Sequence, residues 1–163
     1  MSNPTQNQRG FTYQLTHVAQ EFIDYAAQAT LPVVDIGAAY GVATIPLLEK
    51  GASVIAIDLS QDHLDQLSAN VAEADRARLT LLNGRFPDIA LPTTPVAAVY
   101  LSQVLPFLSP DEVQQGARVL HEWLAPGGKV FVVSFTPYLA HVADYIPVYK
   151  EKKAAGLPFA GFV

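Results

Sequence analysis

A doubly wound α/β fold, with a mostly parallel sheet and helices on both faces, is predicted by three observations. Short apolar runs over 33–36, 53–57, 79–82, 96–101 and 129–135 alternate with stretches of helical periodicity. Two of these runs end around acids, Asp35 and Asp58. Between the acids, Gly37 and Gly41 punctuate the passage from strand to helix. Such strands are joined by right-handed crossovers, and the sheets they form bind ligands beyond the strands' carboxyl ends, near the point where strand order reverses.

The elements follow in order. Residues 1–10, rich in Asn, Gln, Ser and Pro, read as a disordered arm. Leu15, Val18, Ala19, Phe22, Ile23 and Ala26 then fall at helical spacing. After the first strand, a helix follows Gly41 and stops at Lys50-Gly51, with Pro46 kinking or shortening its opening turns. After the second strand, Ser60 offers an N-cap and Asp62 a first-turn acid. Leu64, Leu67, Val71 and Ala74 make the buried stripe of that helix. The proline-rich link 91–95 leads to the fourth strand. Ser109-Pro110-Asp111-Glu112 then supplies an N-cap, a proline at the first helical position and a capping-box glutamate. Val113, Ala117, Leu120 and Leu124 are the expected apolar face of that helix. Pro126-Gly127-Gly128 ends it before the fifth strand.

Composition bounds the function. At 163 residues the chain predicts one domain, and with 50% hydrophobic and 15% charged residues it can bury a sizeable core. A net charge of −5 without a basic run argues against a nucleic-acid partner. There is no cysteine, which excludes disulfides, cysteine nucleophiles and thiolate metal sites and fits a reducing cytoplasm. No signal-peptide h-region or membrane-spanning run is visible.

Asp35, Asp58, Asn83, Ser102 and Phe135 fall at the predicted carboxyl ends of strands. Two acids flanking a glycine-bared backbone suit a ligand with a ribose and a cationic amino-acid arm, a combination that points to S-adenosylmethionine. A phosphate loop would instead want an uncompensated helix N-terminus and often a lysine. The spacing Gly37-x-x-x-Gly41 does not fit the dinucleotide fingerprint, which weakens a nicotinamide dehydrogenase.

With these residues in view, the sequence resembles the class I S-adenosylmethionine-dependent methyltransferases over roughly residues 11–136. Asp35-Ile36-Gly37-Ala38-Ala39-Tyr40-Gly41 is similar to the family's first motif. Asp58 matches the acid that holds the ribose hydroxyls, and Leu59 would pack near the adenine. Asn83-Gly84-Arg85-Phe86 stands where the family places adenine-edge contacts, and Ser102-Gln103 follows the fourth strand. Leu124 to Lys129 is similar to the Leu-x-Pro-Gly-Gly turn. The resemblance implies a Rossmann-like core with S-adenosyl-L-methionine as cofactor and no metal. The reaction implied is methyl transfer by in-line displacement to an O, N or C nucleophile.

Three departures are visible. Ala39 replaces the middle glycine and narrows the approach to the methionine arm. Arg85 replaces an acid that reads the adenine amine, so that Asn83 or a backbone carbonyl must serve. The family's last two strands are not recognisable after the fifth strand, and 137–163 reads as a substrate-side lid segment, either truncated, the preferred reading, or part of a sheet that a partner completes. That leaves the fifth strand an unpaired edge and predicts self-association.

Tyr13, Tyr138 and His141 are the candidate substrate residues, the first as an aromatic lid. His17, His63 and His121 are expected in solvated or capping roles, since no metal-ligand spacing relates them. Trp123 and Phe22 are expected in the core. Ser102-Gln103 lacks both the Asn/Asp-Pro-Pro-aromatic motif of amino-methylating DNA and glutamine enzymes and the acidic pair of aminopropyltransferases. The acceptor indicated is a small molecule, with a protein second. The alternatives are a non-catalytic binding protein of the same fold and an aminopropyltransferase. No catalytic residue stands out, as expected where alignment of an already activated donor carries the chemistry.

Overall fold

The computed structural model describes residues 3–4, 11–12, 15–136, 138–157 and 160. Five parallel strands form the sheet: β1 (Val33–Ile36), β2 (Val54–Asp58), β3 (Leu79–Asn83), β4 (Val96–Ser102) and β5 (Leu124–Val133). Their spatial order is β3-β2-β1-β4-β5, so the order reverses between β1 and β4. Five helices accompany them: α1 (His17–Ala26), α2 (Thr44–Glu49), α3 (Gln61–Asn70), α4 (Pro110–Trp123) and α5 (Ile146–Ala154). In the N-terminal arm Asn3–Pro4 pairs antiparallel with Phe11–Thr12; residues 1–2 and 5–10 lie outside the described residues.

Alternate residues of each strand feed two cores. On one face Val33, Val54, Ala56, Ala98 and Tyr100 pack with Phe22 and Ile23 of α1, Leu47 and Leu48 of α2, and Leu64 and Leu67 of α3. On the other, Val34, Ile36, Ile55, Ile57, Val99 and Leu101 pack with Phe86 and Trp123. Central strands buried on both faces explain why the runs are continuously apolar rather than alternating. Phe22 stacks on Tyr100 at 5.1 Å between ring centroids, and Phe86 meets Trp123 edge-on at 6.0 Å.

Several expected details are corrected. Pro46 does shorten its helix: α2 has only six residues, although Gly51 closes it at φ 88° as expected. Ala74 leaves the α3 stripe, because the chain exits the helix at Val71 and Ala74 is exposed on a 3₁₀ turn, Glu73–Arg78. The α4 capping box is present, with Glu112 N donating to Ser109 Oγ and Ser109 N donating to Glu112 Oε2. Leu120 and Leu124 pack against the second core as expected, but Val113 and Ala117 are exposed, and the fully buried residues of α4 are Gly116 and Trp123. The inward position at 116 needs glycine, since a Cβ there would stand 2.7 Å from the Phe86 ring. Finally, β5 begins directly at Leu124, not at Lys129. Leu124 pairs with Val96, residues 125–128 loop out, and pairing resumes at Ala98↔Lys129.

Candidate cofactor site

The glycine loop is built by clamping its backbone onto the end of β2. Gly37 N and Ala38 N both donate to Ile57 O, at 2.8 and 3.0 Å, and Gly41 N closes the turn on Ala38 O at 2.8 Å. Gly37, Ala39 and Gly41 all take left-handed φ, at 76°, 44° and 87°. The glycines at 37 and 41 are also required by the protein's own packing. A Cβ on Gly37 would stand 2.8 Å from Val104 Cγ2, and one on Gly41 only 2.2 Å from Leu67 Cδ1. Their missing side chains make room for the protein's own packing. Gly84 behaves likewise, its Cβ position lying 2.5 Å from Ile89 Cδ1.

The loop ends against Asp58. Asp58 Oδ2 accepts from Ala39 N at 2.9 Å, and Oδ1 accepts from Ser60 N at 2.9 Å. Ser60 thus holds the N-cap position of α3 without a side-chain cap, its backbone N–H being taken by the acid. His63 Nδ1 lies 3.1 Å from the same Oδ1, and both side chains are buried. This corrects the expectation of a solvated or capping His63. His17 and His121 are exposed, as expected.

Asp35 is buried beneath the loop, where Thr44 Oγ1 donates to its Oδ2 at 2.7 Å. Burial pushes its carboxyl up to about 6, against the Thr44 hydrogen bond, and the nearby Asp58 charge adds to the rise.

Asp35, Gly37, Ala38, Ala39, Ser102 and Gln103 line one cleft of about 140 Å³, closed on its far side by Leu15, Thr16 and Ala19 at the start of α1 and by Tyr100. Gln103 is held in the left-handed region at φ 59°. Its N donates to Val133 O at 2.7 Å, and its Oε1 accepts from Phe135 N at 3.1 Å, tying the ends of β4 and β5 together. Leu59 stands 56% exposed just after β2 and is not among the residues lining the cleft. Asn83 Nδ2 donates to Asp58 O and Leu59 O at 3.2 and 3.0 Å, which fixes the amide orientation.

Other candidates are placed elsewhere. Arg85 turns to α4, pairing with Glu112 at 2.5 Å and Asp88 at 3.3 Å; the Glu112 hydrogen bond holds its guanidinium above its ordinary value. The Phe86 ring is buried in the second core. Tyr138 is 58% exposed and meets Tyr149 edge-on, away from the cleft lining. His141 lies in the 3₁₀ turn Ala140–Tyr145, its side chain outside what is described, and Tyr13 lies outside the described residues. Among the described residues no cluster of metal-ligating groups occurs, and no helix is long and apolar enough to cross a membrane.

Residues 33–128 match the family model described as a methyltransferase domain. The chain belongs to the class I S-adenosylmethionine-dependent methyltransferase family. It is 31% identical over 102 residues to a cypemycin N-terminal methyltransferase from a Streptomyces species, covering 61% of this chain and 40% of that one. The glycopeptide N-methyltransferase MtfA, in complex with S-adenosyl-L-methionine, superposes with a TM-score of 0.62 at 28% identity over 70% of this chain. The CcbJ methyltransferase from Streptomyces caelestis does so with a TM-score of 0.65 at 26% identity over 76% of this chain. The chain spans 51% of the length of each of these two structures.

Of the residues singled out in the sequence, the structure brings Asp35, Gly37, Ala38, Ala39, Ser102 and Gln103 together in the cleft and ties Asp58 to the loop through Ala39 N; Thr44, His63 and the α1 start, which adjoin them, were not singled out for the site. Thr44 opens the helix that follows Gly41, and His63 sits in the first turn after Asp58. Those positions were the available signal.

Proposed function

We propose that the protein binds S-adenosyl-L-methionine in the cleft and transfers its methyl group to a nucleophile of a small molecule or peptide. The carrying observation is the cleft where the sheet order reverses, lined by Asp35, by Gly37 to Ala39 of the glycine loop, and by Ser102-Gln103. The donor set fits the cofactor: buried carboxylates favour a cationic arm, Asp58 offers a hydroxyl acceptor, and Leu59 offers an apolar face for a base. The bound cofactor would supply the methyl group on a sulfonium that is already activated.

The chain's own part is alignment. The Gly37–Gly41 loop and Gln103, each fixed by backbone hydrogen bonds, form rigid walls. Arg85 is spent on Glu112, so Asn83, with its amide nitrogen committed to Asp58 O and Leu59 O, is left to present its oxygen to the adenine amine. Relatives named as an N-terminal methyltransferase and a glycopeptide N-methyltransferase favour an amine acceptor. No cysteine calls for an oxidising compartment, so the reading places the reaction in the cytoplasm.

The test is calorimetric titration with S-adenosylhomocysteine, the methyl-free product. The chain should bind it, and Asp58→Ala should weaken binding about tenfold or more. A folded chain that binds neither this ligand nor S-adenosylmethionine would favour a non-catalytic member of the family.

A further inference from the structure

We propose that His63 is a positioning residue for cofactor recognition: it holds the Asp58 carboxylate from the buried side, so that Asp58 meets the ribose through Oδ2 alone. The inference rests on the reading of Asp58 as the ribose acid. A carboxylate offers about four acceptor directions, two on each oxygen. Asp58 Oδ1 already accepts from Ser60 N at 2.9 Å and from His63 Nδ1 at 3.1 Å, and Oδ2 accepts from Ala39 N at 2.9 Å. One direction on Oδ2 is left, which serves one hydroxyl and not a chelated pair.

His63 is built for this task. Its side chain is 4% exposed, and it sits in the first turn of α3, the helix that leaves β2 directly after Asp58. Its ring meets Tyr40 of the glycine loop edge-on at 5.1 Å. It therefore touches both the acid and the loop that faces the acid. Nε2 is buried and has no hydrogen-bond partner among the described residues. The carboxylate beside Nδ1 decides which nitrogen donates. Without a proton, Nδ1 would set a lone pair against Asp58 Oδ1 at 3.1 Å, whereas a proton on Nδ1 makes the Asp58 hydrogen bond.

The experiment compares S-adenosylhomocysteine with its 2′-deoxy and 3′-deoxy analogues on the full chain and on Asp58→Ala, His63→Leu and His63→Asn. In the parent, one of the two analogues should bind about tenfold more weakly than the complete ligand. Asp58→Ala should erase that difference. His63→Leu should erase most of it, and His63→Asn, whose amide nitrogen can stand in for Nδ1, should restore it. A merely structural histidine would lower the affinity of all three ligands by the same factor, and that pattern overturns the proposal while leaving the Asp58 reading intact. An Asp58→Ala variant that binds all three ligands as the parent does would instead overturn the ribose reading itself. Nitrogen-15 spectra of the parent give a readout independent of variant folding: Nδ1 should carry a proton, and a bare Nδ1 overturns the proposal.

Discussion

At the scale of single residues, Asp35 carries a consequence for stability. Its carboxyl ionises near 3.8 when unfolded and near about 6 when buried in the fold. Between those values the folded protein keeps a proton that the unfolded chain has released. The Asp35 contribution to stability should therefore be greatest below the lower value, fall as pH rises through the window, and level off above it, by about 3 kcal/mol in all. Asp35→Asn removes the titration, and its amide oxygen can still accept from Thr44. Urea midpoints at several pH values should show the parent losing ground on the variant between the two values. A gap that stays constant with pH would contradict the burial argument. Legibility at this scale was uneven. Asp35 and Asp58 could be read because acids closing apolar strands are conspicuous, but their partners could not. Thr44 and His63 reach them only after α2 and α3 fold back on the sheet, and no pattern along the chain announces that contact. Arg85 shows the converse, since its departure from the family acid makes sense once α4 brings Glu112 alongside.

At the scale of elements, the glycine loop and α3 depend on each other. Gly41 and Gly51 share a left-handed φ, 87° and 88°, yet their surroundings differ. A Cβ at Gly51 meets nothing within 4 Å, while one at Gly41 stands 2.2 Å from Leu67 Cδ1, a fully buried side chain of α3. Gly51→Ala should therefore cost only the backbone term, about 1 kcal/mol. Gly41→Ala should cost a further 1–3 kcal/mol or so, through overpacking against Leu67. Denaturant midpoints for the pair separate the two contributions, and equal losses would show that Leu67 yields freely. The strand cores and the α4 start were legible because periodicity and capping chemistry are local. The buried face of α4 was legible only in part, at Leu120 and Leu124. Gly116 counts as a poor core residue until the Phe86 ring, from another part of the chain, fills the space above it.

At the scale of the whole molecule, the sheet's two faces are not equally covered. The register sets Val130 beside Val99 and Val132 beside Leu101, so β5 extends the second core's apolar face by one strand. There the cover fails: Val130 is 39% and Val132 44% exposed, whereas Val99 and Leu101 are buried. Beyond β5 the sheet has no further strand among the described residues, which leaves its outer backbone groups open to pairing. An open edge flanked by an apolar face is the arrangement that proteins otherwise blunt with charge or cover with another element. Alternating strands and helices could predict the parallel sheet, but the cost of its last edge became concrete only when the register placed two valines on one uncovered face. The chain should accordingly self-associate as its concentration rises. Substituting Val130→Lys together with Val132→Lys places two charges on that face without touching the buried side of β5, where Phe131 and Val133 pack on the first core. Sedimentation velocity should show a concentration-dependent weight-average for the parent and a monomer for the double variant, with both giving the same helical circular dichroism. If the parent sediments as a monomer throughout, the exposed face is inert. If both associate alike, the contact lies elsewhere on the surface.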